Sequence, residues 1–384
     1  MEKKIKSPVV SEQERIDQRK RQIRNWAILL GCIAAAVILT VVISLLGSSG
    51  HSITSTRLPC YAHQDVTVFQ DGVLYYDGAS IHFINANGSI EWSYPAGDGA
   101  SFSASDSNII VWADRQLAIL NDEGYSTYNR AMDESIQFAR IGQKHAAIIT
   151  GDELTSTVFI KDLQGAHIDS ETTQFDGQVL LDCGFYGSSD QYMWTLSYDF
   201  YAPIVTSILA TFQVGSMNTG SATLTNHLPT RVVYLNERLH AFTTQQLYTY
   251  DYRGVEDTSG NMLVYGWQYL AHTQPKRGLA YILLAPTNQA TGESGMKDLR
   301  VISTGFDRRY SLPSTCVGAA MSGESIYAFS SQYLYSGKIS SQRFYAHQIQ
   351  LEDGRSVTDF VGLTSNGYAI VVSNNEVYSV TLPK

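Results

Sequence analysis

Apolar and polar residues alternate along most of the chain after residue 60, and the alternation comes in repeated units. Each unit has an apolar strand, a polar turn that ends in glycine, and a second, more polar strand. The first unit is "FINANGSIEW", Phe83 to Trp92. Five more are "LAILNDEGYSTYNR", "VFIKDLQGAHID", "LYTYDYRGVED", "LRVISTGFDRRYSL" and "YAHQIQLEDGRSV". Period-two alternation predicts half-buried strands, and a short turn with glycine at positive φ joins antiparallel strands, so the pattern predicts a recurring β-hairpin.

The turn glycines place these hairpins at intervals of 36 residues (Gly88 to Gly124) to 51 residues (Gly254 to Gly305). The predicted turn positions are Gly88, Gly124, Gly165, Gly254, Gly305 and Gly354, with a degenerate member near Gly215 or Gly220. Further strands are predicted ahead of the hairpins, at "VTVFQ", "GVLYYDG", "IIVWAD", "HAAIITG", "QYMWTLSY" and "SIYAFSS". Each interval therefore has room for four short strands with loops of varying length.

Repeated four-stranded units arranged in a ring predict an all-β fold, the β-propeller, in which closure hides most strand edges. Seven hairpins and a closing unit give an eight-bladed propeller; seven blades is the alternative. The last unit, "FVGLTSNGYAIVVSNNEVYSVTLP", has room for three strands only. We expect "HSITSTRL", His51 to Leu58, to supply its fourth strand. Residues 60–384 are then one propeller domain, and residues 47–59 form a short connection and ring-closing strand.

A different pattern precedes the propeller. "WAILLGCIAAAVILTVVISLL", Trp26 to Leu46, has 21 residues without a charge. As a helix it would rise about 31 Å, one hydrocarbon thickness. A buried core helix and a cleaved signal peptide are the alternatives, but the run is long for either and "LLGSSGHS" offers no A-x-A-like cleavage site. The sequence predicts a transmembrane helix over residues 26–46, after a basic tail at residues 1–25.

Charge predicts the orientation of this span. The tail holds eight Lys and Arg against four Asp and Glu, 8 − 4 = +4, and the remainder of the chain carries 19 − 32 = −13. Positive residues that flank a first span stay in the cytoplasm, so we expect the tail inside and the propeller outside a single-pass membrane protein. An acidic outer domain argues against nucleic acid as a partner and against docking on anionic lipid.

The four cysteines indicate neither a disulfide framework nor a zinc site. Cys32 lies in the predicted span, and Cys60, Cys183 and Cys316 are widely spaced in the propeller. An odd number of cysteines without a C-x-x-C pair favours buried thiols, and a single disulfide is the alternative.

The stretch "FINANGSIEW" has two interpretations, a cation-binding loop and a hairpin turn. Asn85, Asn87, Ser89 and Glu91 place oxygen atoms at alternate positions, but only one of them is a carboxylate. Calcium loops draw their affinity from several carboxylates, so the turn is favoured. G-x-S-x-G, H-E-x-x-H and phosphate-loop motifs do not occur, and the nine histidines are scattered. The sequence therefore predicts no metal, no cofactor and no catalytic residue.

The same stretch resembles the repeat of PQQ-type propellers, in which a strand, an Asp- or Asn-containing turn, a glycine and a strand tryptophan recur. Trp92 occupies the tryptophan position, and the other units keep only the turn. The whole layout is similar to single-pass, membrane-anchored propeller proteins of Gram-positive bacteria. The resemblance implies the fold. It implies no activity, because PQQ enzymes have vicinal cysteines and this chain has none.

Aromatic residues are the remaining candidates for a binding site. They cluster in "YDFYAP", "QQLYTYDYRG" and "YGWQYLAH". Most are expected to pack between blades, but aromatic rings in exposed loops stack on sugars and anchor peptides. The predicted binding residues, taken as loop positions, are Tyr198, Tyr201, Tyr265 and Trp267.

The sequence thus favours a membrane-tethered, extracytoplasmic binding or scaffolding module without enzymatic activity, whose partner is a cell-envelope protein or cell-wall glycan. Two alternatives stay open. One is an enzyme, a lyase, hydrolase or quinone-linked dehydrogenase, with a site at the propeller mouth. The other is a sensor that relays ligand binding to a cytoplasmic partner of residues 1–24.

Overall fold

The computed structural model describes residues 53–172, 174–216, 218–273, 278–287 and 295–383. These residues form 32 strands in eight four-stranded antiparallel sheets, which confirms the eight-bladed propeller. The predicted transmembrane helix and basic tail lie outside the described residues. No helix within the described ranges is long or apolar enough to span a bilayer.

Blades 1 to 4 follow one another in the chain. Blade 1 comprises β2 (Thr67–Phe69), β3 (Gly72–Tyr76), β4 (Ser80–Asn85) and β5 (Ile90–Pro95). Blade 2 comprises β6 (Ser101–Ala104), β7 (Asn108–Ala113), β8 (Gln116–Asn121) and β9 (Ser126–Ala131). Blade 3 comprises β10 (Ile136–Ile141), β11 (His145–Asp152), β12 (Thr155–Asp162) and β13 (His167–Glu171). Blade 4 comprises β14 (Gln178–Tyr186), β15 (Tyr192–Asp199), β16 (Thr206–Gln213) and β17 (Asn218–Thr225).

Blades 5 to 8 complete the ring. Blade 5 comprises β18 (Arg231–Leu235), β19 (Arg238–Phe242), β20 (Gln246–Tyr250) and β21 (Met262–Leu263). Blade 6 comprises β22 (Trp267–His272), β23 (Ile282–Pro286), β24 (Met296–Ser303) and β25 (Phe306–Cys316). Blade 7 comprises β26 (Gly318–Ser322), β27 (Ser325–Phe329), β28 (Tyr333–Lys338) and β29 (Phe344–Gln348). Blade 8 comprises β30 (Asp359–Leu363), β31 (Tyr368–Ser373), β32 (Glu376–Thr381) and β1 (Ser55–Tyr61).

The two ends of the propeller close the ring as predicted. Strand β1 pairs with β32 in antiparallel register, with Ser55 opposite Val380, and becomes the outer strand of blade 8. It starts four residues later than the predicted segment. The Arg57 guanidinium forms a 2.8 Å ion pair with Glu376. Because β1 comes from the start of the domain, blade 8 is complete only when both ends of the chain are in place.

The blades present two faces. First strands of neighbouring blades lie against one another, as in β6 with β10 and β22 with β26, which places first strands at the centre and fourth strands at the periphery. The connection face carries the loops between second and third strands and the connections between blades. The hairpin face carries the turns between first and second and between third and fourth strands. This division follows from the antiparallel order of every sheet.

The hydrophobic core lies between blades. Middle strands such as β7 ("NIIVWA") and β8 ("QLAILN") are buried almost throughout, whereas the outer strand β9 ("STYNRA") is mostly exposed. A middle strand packs against a neighbouring blade on each side, so both of its faces need apolar side chains. Outer strands carry most of the polar alternation.

The structure differs from the predicted hairpins at two places, Gly354 and blade 5. Gly354 is not a hairpin turn: it ends a short 3-10 helix, Glu352–Gly354, between blades 7 and 8. Blade 7 turns instead at residues 339–343, where the Ser341 hydroxyl accepts the Arg343 N–H at 3.1 Å and glycine is not required. Of the two glycines considered for the degenerate hairpin, Gly215 is the one in the turn, before β17, with a φ of 75°.

Blade 5 keeps its turn but not its outer strand. The Gly254 N–H donates to the Asp251 carbonyl at 3.1 Å, as a hairpin turn requires. The chain then forms a second short 3-10 helix, Thr258–Gly260, and only Met262–Leu263 pairs with β20. The rest of the outer edge of blade 5 is covered by irregular chain: the Asp257 N–H donates to the Thr249 carbonyl at 2.8 Å, and the Thr249 N–H donates to the Asn261 side-chain oxygen at 2.9 Å.

Candidate functional site

The turn in "FINANGSIEW" is a hairpin turn and not a cation loop. The Asn85 Oδ1 accepts the N–H groups of Asn87 at 3.0 Å and Ser89 at 3.1 Å, and its Nδ2 donates to Glu91. The same side-chain oxygen holds two backbone N–H groups in three other blades, at Asn121, Asp162 and Asp251. The oxygen atoms stabilise the turns. The signal is visible in the sequence as Asn or Asp three residues before the glycine, in "NANG", "NDEG", "DLQG" and "DYRG".

These turns are also where neighbouring blades meet. The Trp92 ring, on the outer strand of blade 1, covers Gly124 in the turn of blade 2, and its Nε1 donates to the Asp122 carbonyl at 2.9 Å. A Cβ on Gly124 would lie 2.5 Å from the ring. The Tyr128 ring covers Gly165 of blade 3 in the same way. At these two junctions an aromatic ring of one blade therefore packs on a turn glycine of the next.

The junction between blades 5 and 6, here called the seam, is held differently. Strand β21 has two residues, and polar groups bridge the blades instead. The Asn236 amide bonds the backbone of Ala280 through both its oxygen, at 3.0 Å, and its nitrogen, at 3.3 Å. Arg300 donates to the Leu263 carbonyl at 2.9 Å and forms a bidentate pair with Asp307. The seam opens into one cleft on each face.

The cleft on the hairpin face has a volume of about 560 Å³ and is rich in ionisable groups. Arg238 lies 3.6 Å from Asp257, whose pKa is lowered by the Ser259 hydroxyl and by Arg238. Hydrogen bonds from Arg300 likewise lower the pKa of Asp307. The carboxylates of Asp257 and Asp307 remain charged at neutral pH because each has a cationic partner.

His240 lies at the base of the same cleft. Its Nδ1 is 3.2 Å from the Thr249 hydroxyl and its Nε2 is 3.3 Å from the Leu235 carbonyl. Burial lowers the pKa of His240 to about 4, against the smaller raising effect of the Leu235 carbonyl. The imidazole is therefore neutral at pH 7, and the folded state resists its protonation.

The cleft on the connection face has a volume of about 810 Å³. Its walls are Thr230, Arg231, Phe242, Thr243, Thr244, Trp267, Gln268, Tyr269, Leu270 and Thr287. The Arg231 guanidinium lies 5.7 Å from the centre of the Tyr269 ring, and Arg309 lies 5.4 Å from the centre of the Trp267 ring. The cleft thus combines aromatic rings, hydroxyl groups and cations.

Exposed apolar side chains surround the blade 4 to blade 6 part of the connection face. We call this set the apolar rim: Phe200, Tyr201, Ile204, Val205, Leu228, Leu263 and Tyr265. Their exposed fractions run from 45% to 73%, and they are seven of the 17 exposed large hydrophobic residues among those described. They belong to three neighbouring segments, residues 200–205, 226–230 and 263–267. The Asn226 N–H donates to the Val205 carbonyl at 2.7 Å and joins the first two segments.

The four predicted binding residues all lie toward the connection face, but only two are loop residues. Tyr201 and Tyr265 are 72% and 73% exposed and belong to the apolar rim. Tyr198 is half-buried in β15, opposite Ser207, and Trp267 is half-buried at the start of β22 in the seam. The expectation of loop positions for Tyr198 and Trp267 is wrong, because the strands extend further than the aromatic clusters indicated.

Sequence reasoning missed the aliphatic members of the rim. "FYAPIV", residues 200–205, is an apolar run where the other blades have polar residues between the second and third strands, such as "DR" in blade 2 and "NN" in blade 8. The contrast is visible in the sequence once the strands of the different blades are aligned with one another. Leu228 and Leu263 carry no comparable signal, since single apolar residues in connections are common.

The remaining histidines described here form local contacts on separate blades. His82 bonds Asp77 at 2.9 Å on blade 1, and His272 contacts Tyr269 on blade 6. Among the residues described, no three His, Cys, Asp or Glu side chains are arranged to hold a metal. Cys60, Cys183 and Cys316 are free and buried on three different blades, and burial raises the pKa of all three thiols, to about 12 for Cys60.

Comparison with known proteins supports the fold. No protein-family model matches the sequence, and no curated protein matches it. The crystal structure of Sqt1 from Saccharomyces cerevisiae is similar with a TM-score of 0.56 and 11% identity, covering 86% of this chain and 100% of Sqt1. BamB from Moraxella catarrhalis is similar with a TM-score of 0.52 and 13% identity, covering 86% of this chain and 98% of BamB. At such identities the likeness extends to the propeller fold alone.

Proposed function

We propose that the chain is a membrane-tethered, extracytoplasmic β-propeller that binds a cell-envelope protein through the apolar rim. The observation that carries this proposal is the concentration of exposed apolar side chains on one side of one face. Single exposed hydrophobic residues are ordinary on a protein surface, but a cluster of them in adjacent segments is typical of an interaction site.

The composition of the rim favours a protein over a glycan. Ile204, Val205, Leu228 and Leu263 are aliphatic, and they make up four of its seven members. Sugars stack on flat aromatic rings and bond to polar groups beside them, whereas aliphatic side chains pack against apolar protein surface. Tyr201 and Tyr265 add rigid rings of the kind that contribute strongly to protein interfaces.

The tether and the compartment are part of the proposal. The uncharged run over residues 26–46 and the change from +4 in the tail to −13 in the remainder support them. A propeller suits such a role because it holds many loops on a rigid ring, and the chain can vary those loops without disturbing the sheets.

The test is capture from envelope extracts with the full-length, affinity-tagged chain, read by mass spectrometry. Three forms are compared: wild type, Tyr201→Ser with Tyr265→Ser, and a control with Tyr125→Ser and Tyr345→Ser. The control tyrosines are exposed to a similar degree, 69% and 66%, but lie outside the rim. We expect the rim variant alone to lose a specific protein. Retention of the same protein by all three forms, or retention of purified cell-wall glycan that depends on the rim, would overturn the proposal.

A further inference from the structure

The cleft on the connection face differs in charge from the domain around it. The chain outside the tail carries a net charge of −13, yet none of the ten described residues that line this cleft is acidic. One of them, Arg231, is cationic. A cation in a concave site without a carboxylate produces a local positive potential on an otherwise negative molecule.

The charge of Arg231 is not compensated by an ion pair within the described part of the chain. Arg57, Arg140, Arg300 and Arg355 each lie within 4 Å of a carboxylate, and Arg231 does not. Its guanidinium is exposed and lies beside the Tyr269 ring. Its positive potential reaches the neighbouring imidazole, because burial and then Arg231 lower the pKa of His272.

Other groups around the cleft are suited to the same ligand. The side chains of Gln268, Thr244 and Thr287 line the cleft and carry hydrogen-bond donors. Phe242 forms an apolar floor, and the Trp267 ring lies beside Arg309, a second cation next to the cleft. A volume of about 810 Å³ accommodates a group of the size of an amino acid or a small ester.

We propose that this cleft binds an anionic group, a carboxylate or a phosphate ester, carried on an apolar body. Arg231 binds the anion through its planar pair of N–H donors, Gln268 and the threonine hydroxyls supply further donors, and the aromatic rings cover the apolar part. The inference rests on the proposed function in one respect: the anion belongs to the partner that the apolar rim holds. The cleft borders the rim, since residues 263–267 contribute to both.

The test uses small probes with the purified full-length chain. N-acetylphenylalanine carries a free carboxylate, phenyl phosphate carries a phosphate ester, and N-acetylphenylalaninamide is the neutral match of the first. Binding is followed by tryptophan fluorescence, because Trp267 lines the cleft. We expect at least one anion to bind about tenfold or more tightly than the amide. The affinity for that anion should fall as salt is added. A preference for the carboxylate indicates a chain terminus or an acidic side chain of the partner protein as the source, and a preference for phenyl phosphate indicates a phosphorylated partner protein.

Substitutions assign the binding to Arg231. Arg231→Gln is expected to weaken binding of the anion about tenfold or more, because the charged donor is lost. Arg231→Lys is expected to weaken binding less, because the charge is kept. Arg130→Gln, on the outer strand β9 of blade 2, is the matched control and should have no effect. Equal binding of amide and anion, no binding of either anion, or full binding by Arg231→Gln would overturn the inference.

Failure here is distinguishable from failure of the proposed function. The described residues that line the cleft include none of residues 200–205, so Tyr201→Ser should leave probe binding unchanged. If the anions do not bind but the rim variant still loses its protein, only the inference about the cleft is wrong.

Discussion

The junction between blades 1 and 2 and the seam between blades 5 and 6 solve the same packing problem differently. At the first, the Trp92 ring lies on Gly124 and donates to the Asp122 carbonyl, so an outer strand of one blade packs on the turn of the next. At the second, the outer strand has shrunk to Met262–Leu263, and clefts of about 560 and 810 Å³ open on the two faces.

The difference separates stability from binding. The Trp92 ring fills the space above the turn glycine and stabilises the propeller, whereas polar bridges hold the seam. The apolar rim and both clefts therefore occur together in blades 4 to 6. Under the proposed function, blades 1 and 2 act as scaffold.

Alanine substitutions at the turn glycines should show the largest difference in stability between the two junctions. Gly124 and Gly305 occupy the equivalent turns of blades 2 and 6, with φ of 79° and 70°, but only Gly124 is covered by a side chain. Gly305→Ala should cost about 1 kcal/mol of unfolding free energy, for backbone strain alone. Gly124→Ala adds a clash with the Trp92 ring and should cost about 3 kcal/mol. Urea denaturation measures the free energy of unfolding of both variants. Equal losses would show that the Trp92 ring is not packed tightly on Gly124.

A double-mutant cycle should assign that difference to the ring. Removing the ring by Trp92→Ala relieves the clash, so Gly124→Ala in that background should cost about 1 kcal/mol, a coupling of about 2 kcal/mol. Trp92→Ala combined with Gly305→Ala is the control and should be additive, because the two sites share no neighbour. Additivity in both pairs would contradict the account of the junction.

The pH dependence of stability should be traceable to the seam. The unfolded His240 titrates near 6.5 and the folded one near 4, so between these values the unfolded state binds more protons and the folded state loses stability as the pH falls. The full shift corresponds to about 3 kcal/mol, and roughly 2 kcal/mol remains after allowing for screening at a half-buried site.

His240→Gln removes this titration. Denaturation midpoints between pH 7 and pH 4 should fall less steeply in the variant than in wild type, with a remaining slope from His272 and His347, whose pKa values burial also lowers. Identical slopes for the variant and wild type would show that His240 is not held neutral in the seam.

The apolar rim should contribute almost nothing to folding. Tyr201→Ser with Tyr265→Ser removes two rings that are more than 70% exposed, and the free energy of unfolding should change by less than about 0.5 kcal/mol. A loss comparable to that of Gly124→Ala would mean that the rim belongs to the scaffold, and the separation drawn above would fail.

The fold was largely predictable from the sequence because each blade repeats one local plan. Alternation located the middle strands, the turn glycines located most hairpins, and the short last unit required β1 to close the ring. The prediction failed at Gly354, where a glycine between blades copied the spacing of a turn, and at blade 5, where nothing local indicates that the strand after Gly254 is missing.

The candidate site was predictable only in part. Tyr201 and Tyr265 stood out as aromatic residues in loops, and the structure places both on one face. The seam depends on residues far apart in sequence, such as Asn236 with Ala280 and Arg231 with Tyr269, which meet only after two blades have folded side by side. No spacing rule connects such residues.

The central claim is that binding belongs to the rim and not to exposed aromatic residues in general. Its most direct test is quantitative capture of envelope proteins by the wild-type chain, the Tyr201→Ser/Tyr265→Ser variant and the Tyr125→Ser/Tyr345→Ser control, normalised to folded protein. The account predicts one protein that is retained by wild type and control and lost from the rim variant. Equal retention by the two variants would contradict it.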